Sequence, residues 1–559
     1  MLRRTINYMR ARLGTKTTVT LLVTLSLFVL GMLTLIVLSL WPPHQIIVDP
    51  PPVDQCAMLL SPSSYPFNGS GFTVMRSPLG KPEYIGVSDG SFIFDTTRAN
   101  REQKCQGAIQ FRANTINDIQ LAGDHWTKAV VLQDRSGFQQ EDSNDAEALI
   151  YRENSDVLSS GLPYITFIVG TILTGDDKNI GYDILQGAYV AQEEFNRTHN
   201  DRHGYPLQIR LLIANFSSNV LETPDQGKSI EDSVARMIIT MAGRKELKVK
   251  GILLGLPFTF DNTLTILNQS NIPVVLSGAF SKPQIQNSGN IFPVAASTQH
   301  EGQVAAQYVQ QYLKARKIAL FVDENSLYSK SLADAFQGNM NKETIWSKEV
   351  YTSRDTDSIN NGVLSALRDG VDLIYFAGDA HDANTALDML QQRNASVEFM
   401  GGDALYELSS YTGEHYRSLY FTSFAFPDEW QQPNLLEQHP LPTLYRLLFG
   451  GWPLGRVYGY IRPDSNALLS YDGLSTLLYA SEIVFSSQHN DNFSFNDLQQ
   501  ALMHIKDQQA FQGFSGRISF GFDQDSKAIV ILYVDSNGLT RMVHPHPIYG
   551  CLIVTCKPV

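Results

Sequence analysis

The sequence predicts an α/β protein of two lobes that is preceded by a transmembrane helix and a short helical region. Three observations support this architecture. From residue 164 onwards, continuous apolar runs alternate with amphipathic helical patterns. Residues 17–41 carry no charge, and a separate helical pattern occupies residues 107–154. The chain of 559 residues is long enough to bury more than one core.

The uncharged run at residues 17–41 is 25 residues long, whereas about 20 helical residues span a bilayer. Five arginine and lysine residues lie in residues 1–16, and none lies in residues 42–54. The positive-inside tendency therefore places the N-terminus in the cytoplasm and the body outside it. A cleaved secretory signal is the alternative, but the run is longer than a usual signal core and no A-x-A-like site follows it. We expect a single-pass anchor in the cell membrane.

The remaining chain divides by composition. Residues 42–55 are proline-rich and predict an extended spacer. In residues 56–160 we expect irregular structure up to about residue 94 and helices at 107–154. The helical part resembles one tetratricopeptide-like hairpin or an ordinary two-helix neck. Residues 161–559 form the two-lobed domain. We expect lobe 1 at about 161–295 and 419–510, and lobe 2 at about 296–418 and 511–559.

Continuously apolar, β-branched runs indicate strands that are buried on both faces. Helical patterns separate them, for example at 181–198 and 300–315. Repeated strand–helix–strand units predict parallel sheets with right-handed crossovers, and the number of strands is too large for one small sheet. The predicted strands are 164–173, 207–215, 249–256, 272–278, 317–323 and 371–378.

The formal charge of −13 disfavours a nucleic-acid partner, because an acidic surface repels the phosphate backbone. The four cysteines are even in number, so an exported chain can form two disulfides. Cys56 with Cys105 and Cys551 with Cys556 is the simplest of three possible connectivities. Free buried thiols are the alternative.

The enzyme motifs H-E-x-x-H, G-x-S-x-G and G-x-G-x-x-G do not occur in a suitable context in this sequence. We therefore expect neither an enzyme nor a metal or cofactor site. Asp379, His381 and Asp382 follow a predicted strand, a position where open α/β sheets bind ligands, but a catalytic interpretation is weak.

Loops after the predicted strands carry a clearer pattern. Ala279 and Ser281 lie in a small-residue turn before a helix start, where backbone N–H groups and a hydroxyl can receive a carboxylate. Thr259 offers a further hydroxyl after an earlier strand. Asp403 follows two glycines and can meet an ammonium group. Together these residues predict a pocket for a zwitterion.

From about Pro163 to Gln524 the chain resembles the type I periplasmic binding proteins, in the leucine/isoleucine/valine-binding branch. The stretches that carry the resemblance occur in family order: GYDILQGAYVAQEEFN, IPVVLSGAFSKP, FPVAASTQHEGQVAAQYV, LFVDENSLYSKSLADAF, the GGD at 401–403, SYDGLSTLLYASE and FQGFSGRISFGFD. The resemblance implies two lobes joined by crossover strands, with ligand in the cleft between them.

Carried over by position, the resemblance implies contacts with a ligand carboxylate from Ser281, Ala279 and Thr259, an aromatic contact from Tyr328, and an acid for the ammonium at Asp403. Asp379 falls where several amino-acid binders carry tyrosine, and Phe280 replaces a small residue. The implied ligand-binding set is Thr259, Ala279, Phe280, Ser281, Tyr328, Asp379 and Asp403.

The resemblance implies a solute-binding protein that presents an amino acid or a similar small polar molecule to an ABC permease. Two acids in the pocket also suit a cationic or polyamine-like solute. The alternative function is a ligand-sensing ectodomain that signals through a partner protein.

Overall fold

The computed structural model describes most of the chain after residue 81, and residues Gln55–Val559 form one compact unit. The predicted cytoplasmic stub, membrane helix and spacer, residues 1–55, lie outside the described residues. Within the described part, no helix is both long and apolar enough to cross a membrane. The described residues are 56, 71–76, 82–130, 145–175, 178–202, 206–217, 224–255, 261–285, 288–341, 343–410, 419–427, 444–445, 449, 463–521, 527–535, 539–543 and 549–551.

The first lobe is built on a seven-stranded sheet with the order β1-β2-β4-β3-β5-β6-β7. Its strands from β3 to β7 pair in parallel, as the strand–helix alternation predicts. The elements up to β7 are β1 (Gly71–Arg76), β2 (Pro82–Ser88), α1 (Arg101–Ala113), α2 (Ile116–Val130), α3 (Ala146–Ser160), β3 (Tyr164–Thr174), α4 (Lys178–Arg202), β4 (Gln208–Ser217), α5 (Pro224–Ala242), a 3₁₀ turn (Lys245–Leu247), β5 (Val249–Leu254), α6 (Asp261–Asn268), β6 (Val274–Leu276), α7 (Lys282–Ile285) and β7 (Ile291–Pro293).

Alternate residues of β3 enter two different hydrophobic clusters. Phe167 and Val169 pack in the cluster that includes α4, whereas Ile168 and Ile172 pack in the cluster that includes α5. Successive side chains of a strand point to opposite faces, so a continuously apolar strand needs apolar cover on both sides. The long β-branched runs of the sequence therefore reflect a sheet between two helical layers.

The sheet also contains strands that the sequence did not predict. β1 and β2 form an antiparallel pair, and β2 joins the sheet antiparallel to β4, with Gly86 opposite Asn215. The sequence interpretation of irregular structure up to about residue 94 is wrong here, since β1 and β2 are strands. β1 is the edge strand and β2 pairs antiparallel with both its neighbours, so neither strand belongs to the parallel strand–helix–strand pattern that the apolar runs predict.

Helices α1, α2 and α3 pack on one another around Trp126, which is fully buried. The Trp126 ring lies 5.5 Å from the Phe111 ring and 5.6 Å from the Tyr151 ring. α3 begins after Asp145, whose side chain accepts a hydrogen bond from the backbone N–H of Ala148. The helical character predicted for this region is confirmed, but three packed helices do not support a single tetratricopeptide-like hairpin.

This helical region is part of the first lobe. The Asn154 side chain on α3 donates to the Leu211 carbonyl at 2.6 Å and accepts from the Leu211 N–H at 2.9 Å. The side-chain amide of Gln192 on α4 donates to the same Asn154 oxygen at 3.1 Å. One buried amide thus satisfies backbone groups of β4 that no neighbouring strand reaches, which fixes α3 against the sheet.

Cys56 and Cys105 form a disulfide with a Cα–Cα distance of 5.3 Å. This bond joins the start of the described chain to α1 and confirms the first predicted pair. Cys551 is also disulfide-bonded. Its predicted partner, Cys556, lies outside the described residues.

The second lobe contains another seven-stranded sheet, with the order β16-β15-β12-β11-β10-β8-β9. α12 and α13 return to the first lobe, where α12 packs along α4. The remaining elements are α8 (Thr298–Tyr308, continued by a π-helical turn at Val309–Leu313), β8 (Ile318–Asp323), α9 (Leu327–Asn339), β9 (Ile345–Tyr351), α10 (Thr356–Asp369), β10 (Leu373–Ala377), α11 (Ala380–Gln392), β11 (Glu398–Gly401), a 3₁₀ helix (Asp403–Ser410), β12 (Leu419–Ser423), α12 (Ser465–Gln488), α13 (Phe495–Met503), a 3₁₀ turn (Asp507–Gln509), β13 (Phe511–Gly513), β14 (Gly516–Ile518), β15 (Val530–Val534) and β16 (Thr540–Met542).

Two lobe boundaries differ from those expected from the sequence. β12 pairs in parallel with β11 and therefore belongs to the second sheet, although residues 419–510 were assigned to lobe 1. The β13–β14 hairpin packs on the first lobe, where Phe514 donates its N–H to Asp472 of α12 at 2.8 Å. Strand pairing and hairpin packing are long-range contacts, which local patterns do not report.

Candidate functional site

A small cavity lies where the two lobes meet. Its volume is about 30 Å³, close to the space that one water molecule occupies. A larger ligand therefore requires the lobes to separate further or the lining side chains to move. The cavity is lined by Ile180, Ile184, Gly255, Ser277, Gly278, Ala279, Asp403, Ala404, Tyr406, Glu407, Ser465, Asn466, Leu469 and Ser470.

The cavity is lined by α4, by α12 and by the segments that follow three parallel strands. Gly255 follows β5, the segment 277–279 follows β6, and Asp403 follows β11. Ligands of open α/β sheets bind outside the carboxyl ends of the strands. Both sheets thus present their ligand-binding edge to the same cavity.

On the first lobe, the turn after β6 offers backbone donors. The N–H of Ser277 is used, because it donates to the Leu254 carbonyl at 3.0 Å. The N–H groups of Gly278 and Ala279 donate to no partner in the described part of the chain. Two adjacent free N–H groups can bind the oxygens of a carboxylate.

On the second lobe, Asp403 is held by Tyr328 and by Glu301, which Thr422 holds in turn. The Tyr328 hydroxyl donates to the Asp403 carboxylate at 2.8 Å. The Asp403 backbone N–H donates to Glu301 Oε1 at 2.6 Å, and the Thr422 hydroxyl donates to the same oxygen at 2.5 Å. Gly402 permits this approach, since a Cβ there would lie 2.3 Å from the Tyr328 hydroxyl. The Asp403 carboxyl is therefore fixed at the cavity surface.

Glu301 and Asp403 behave as an acid pair. Burial, and then the neighbouring charge of Asp403, raise the pKa of Glu301 well above its usual value. Burial raises the pKa of Asp403 to about 6, although hydrogen bonds from Tyr328 and Glu301 oppose the rise. Two buried carboxyls in contact share a proton, because both cannot ionise cheaply at once. A ligand cation would favour the ionised form of Asp403.

A second acid pair, which the sequence reasoning missed, lies beside the cavity in the first lobe. Burial raises the pKa of Asp183 well above its usual value, and the charges of Asp464 and Glu407 add to the rise. Burial also raises the pKa of Asp464, although hydrogen bonds from Ala467, Asp183 and Asn466 oppose the rise. Both carboxyls therefore hold a proton to higher pH than an exposed carboxyl does, and they hydrogen-bond to each other across α4 and the start of α12.

Close packing of α4 on α12 brings this pair together. A Cβ at Gly187 of α4 would lie 2.0 Å from the Ala467 carbonyl oxygen, so only glycine allows the observed approach. Asp464 caps α12 by accepting the Ala467 N–H at 2.8 Å. An available signal was Asp183 itself, which lies between apolar residues on the buried face of the predicted helix 181–198.

The structure brings together only part of the residue set expected to bind ligand. Ala279 and Asp403 line the cavity, and Tyr328 does not line it but donates a hydrogen bond to Asp403. Phe280 is 2% exposed and packs in the core of the first lobe. Thr259 lies outside the described residues.

Ser281 lines a different cavity, of about 540 Å³, between α6–α7 and α8–α9. Its N–H donates to the side chain of Gln284 at 2.6 Å. Neither Gly278 nor Asp403 lines this larger cavity. We therefore take the smaller cavity as the candidate site.

Asp379 does not line the interlobe cavity but caps α11, where its carboxylate accepts the Asp382 N–H at 2.9 Å. Asp379, His381 and Asp382 could supply metal-ligand atoms within 4.8 Å of one another. The capping bond already accounts for the position of Asp379. A structural role explains this carboxylate without a metal.

A search of protein-family models matches residues 248–435 to the periplasmic binding protein family. The Leu/Ile/Val-binding protein homolog 1 of Brucella abortus is 23% identical over 376 residues, which are 64% of this chain and 86% of that protein. An amino acid binding protein of Pseudomonas aeruginosa is 26% identical over 145 residues, and this match spans only 38% of its length.

Among solved structures, a leucine-binding protein of Thermotoga maritima superposes with a TM-score of 0.56 at 19% identity, covering 69% of this chain and 99% of that one. The chain has the fold of the type I periplasmic binding proteins. The matched family and these relatives are binding proteins, which confirms the prediction that the chain is not an enzyme. The two-lobed α/β architecture predicted from the sequence is confirmed as well.

Proposed function

We propose that the protein is a membrane-anchored, extracytoplasmic solute-binding protein that captures an amino acid or a similar small polar ligand for an ABC permease. The observation that carries the proposal is one cavity to which the first lobe contributes backbone hydrogen-bond donors and the second lobe contributes a carboxyl group. The N–H groups of Gly278 and Ala279, which donate to no partner among the described residues, suit a carboxylate, and the carboxyl of Asp403 suits an ammonium group. The names of the relatives from Brucella, Pseudomonas and Thermotoga agree with such a ligand.

The mechanism follows from the position of these groups on separate lobes. Gly278 and Ala279 belong to the first lobe, whereas Asp403 belongs to the second. A ligand that bonds to both walls stabilises the closed form in proportion to the contacts it makes only there. Closure then creates the surface that a permease can distinguish from the empty protein.

Calorimetry of the full-length protein in detergent tests the proposal against a panel of amino acids, polyamines, sugars and organic acids. We expect an amino acid to bind, and Asp403→Asn to weaken it by roughly 30-fold or more, because the variant leaves the ligand ammonium without a charged partner. Asp357→Asn is the control, since Asp357 is exposed on α10 and makes the same change of charge. Unchanged affinity in Asp403→Asn would contradict this site.

Membrane anchoring and transport need their own tests. Protease added to intact cells should digest the body and leave a small cytoplasmic stub. Deletion of the protein should reduce uptake of the ligand that calorimetry identifies. Normal uptake together with a lost transcriptional response to that ligand would favour the sensing ectodomain instead.

A further inference from the structure

The first turns of α4 form part of the cavity wall on the first lobe. Ile180 and Ile184 line the cavity and lie on one face of the helix, because they are four residues apart. Tyr182 lies two residues from each of them, and successive residues are about 100° apart around a helix axis. Its side chain, and that of Lys178 one turn earlier, therefore leave α4 on the side away from the cavity. The loop at residues 95–98, between β2 and α1, contacts this outer side.

Three side chains of this loop hold the outer side of α4. The Tyr182 hydroxyl donates to the Asp95 carboxylate at 2.7 Å. The Lys178 ammonium donates to the Thr97 hydroxyl at 3.1 Å. The Arg98 guanidinium lies 4.3 Å from the centre of the Tyr182 ring, within range of a cation–π contact. Two side chains of α4, one helical turn apart, are thus bound by one loop.

The loop is in turn fixed by the buried ion cluster of the helical region. Asp95 is buried, and its backbone carbonyl accepts a hydrogen bond from the Lys104 ammonium of α1 at 3.0 Å. Lys104 also pairs with Asp145 at 2.9 Å and with Glu147 of α3 at 2.6 Å. Glu147 accepts the N–H of Phe94 at 2.7 Å. Buried polar groups that satisfy one another in this way favour one geometry, so the loop cannot shift without breaking contacts of α1 and α3.

We propose that the helical region α1–α3 positions the cavity wall through the Asp95–Tyr182 hydrogen bond, so that Tyr182 is a positioning residue for ligand binding. The chain resembles the periplasmic binding proteins only from about Pro163, and α1–α3 precede that point. The inference rests on the proposed function, because it concerns ligand affinity in the same cavity. Coupling between two sites is reciprocal, so a bound ligand stabilises the loop as much as the loop favours the ligand.

Contacts with the sheet are the competing explanation for the position of α4. A Cβ at Gly181 would clash with the Ile172 carbonyl of β3, so the helix approaches the strand very closely. The Gly181 carbonyl accepts the Thr171 hydroxyl at 3.0 Å. If these contacts alone fix α4, loss of the loop contact leaves ligand affinity unchanged.

Two tyrosine hydroxyls of α4 offer a matched pair of variants. Tyr182→Phe keeps the ring beside Arg98 and removes only the hydroxyl that bonds to the loop. Tyr189→Phe removes a buried hydroxyl that accepts from Arg152 of α3 at 2.6 Å, two turns beyond Tyr182. Both changes delete one hydrogen bond between α4 and the helical region, but only the first lies between the residues that line the cavity.

Calorimetry of the full-length protein in detergent compares the variants, with each of the twenty common L-amino acids as probe. We expect Tyr182→Phe to weaken the tightest of these by about threefold to tenfold, the range that one lost hydrogen bond can transmit. Tyr189→Phe should stay within about twofold of the native affinity. Urea titration should show a similar small loss of stability in both variants, so that a purely structural role predicts no difference in affinity between them.

Hydrogen exchange measures the coupling from both sides. In the unliganded protein, the amides of residues 178–184 should exchange faster in Tyr182→Phe than in Tyr189→Phe. The probe that binds most tightly should slow exchange in residues 95–104 of the native protein, although these residues do not line the cavity. This protection should be smaller in Tyr182→Phe.

The inference and the proposed function fail in different ways. Equal affinity in the native protein and Tyr182→Phe overturns the inference and leaves the proposed function intact, and so does an equal loss of affinity in both variants. Absence of binding by every amino acid contradicts the proposed function. The exchange rates of residues 178–184 in the unliganded proteins then still show whether the loop holds α4, and equal rates in the two variants overturn that contact as well.

Discussion

Replacing Asp403 by asparagine should make the unliganded protein more stable at alkaline pH. The carboxyl lies in contact with Glu301, and burial raises its pKa from 3.8 to about 6. A carboxyl with a raised pKa stabilises the folded state fully below its unfolded pKa, and this contribution is lost as the pH rises through the folded value. Asparagine keeps the shape of the side chain and accepts the Tyr328 hydrogen bond, but it carries no charge.

The size of the effect follows from the shift in pKa. One pKa unit corresponds to about 1.4 kcal/mol, so a rise from 3.8 to about 6 corresponds to at most about 3 kcal/mol. Asp403 is half-buried at the cavity surface, where solvent screens part of its charge. We therefore expect Asp403→Asn to raise the free energy of unfolding by about 1–2 kcal/mol at pH 8, and by much less at pH 4.

Urea unfolding at several pH values between 4 and 8 measures this difference. The native protein and the control Asp357→Asn should lose stability as the pH rises from about 4 to 6, and Asp403→Asn should lose less. The reasoning is refuted if Asp403→Asn shows the same pH dependence as the control. Equal destabilisation at every pH would mean that the carboxylate is a structural hydrogen-bond acceptor rather than a strained acid.

The other predictions concern the free energy of unfolding after changes at three buried sites. Lys104 is fully buried and forms ion pairs with Asp145, the N-cap of α3, and with Glu147 on α3. Lys104→Met should therefore lower the free energy of unfolding by about 3–5 kcal/mol in urea titrations. Lys128 is exposed, and Lys128→Met should change the free energy of unfolding little. Phe280→Ala should cost about 3–5 kcal/mol by the same assay, because its side chain packs in the core, and an effect on affinity alone would contradict that placement. Loss of the Cys56–Cys105 bond, which closes a 49-residue separation, should cost about 4 kcal/mol, and thiol labelling of the denatured, non-reduced protein should find neither cysteine free.

Much of the fold could be predicted because its signals are local. The six predicted strands appear at Tyr164–Thr174, Gln208–Ser217, Val249–Leu254, Val274–Leu276, Ile318–Asp323 and Leu373–Ala377. Each contains an uninterrupted apolar run, which a strand covered on both faces needs wherever it lies in the sheet. The prediction failed at β1 and β2, since an antiparallel edge pair needs no such pattern.

The candidate site was only partly predictable. Ala279 and Asp403 follow predicted strands, and the rule that ligands bind at the carboxyl ends of strands placed them near the cavity. Phe280 and Ser281 are neighbours of Ala279 in sequence, yet the turn directs one into the core and the other toward a separate cavity. Side-chain direction in a turn depends on the backbone path, which residue types alone do not specify.

The sequence by itself determined the alternation of strands and helices. It also predicted Cys56 with Cys105 as the simplest first disulfide and the acid after Gly401-Gly402 as a ligand group. Only the tertiary structure brings Asp183 and Asp464, which are far apart in the chain, into hydrogen-bonding contact, where burial raises the pKa of both. The physical reason is the close packing of α4 on α12 at Gly187, which depends on contacts between distant segments. Apolar periodicity records which face of an element is buried, whereas the identity of the partner that covers it emerges when the chain folds.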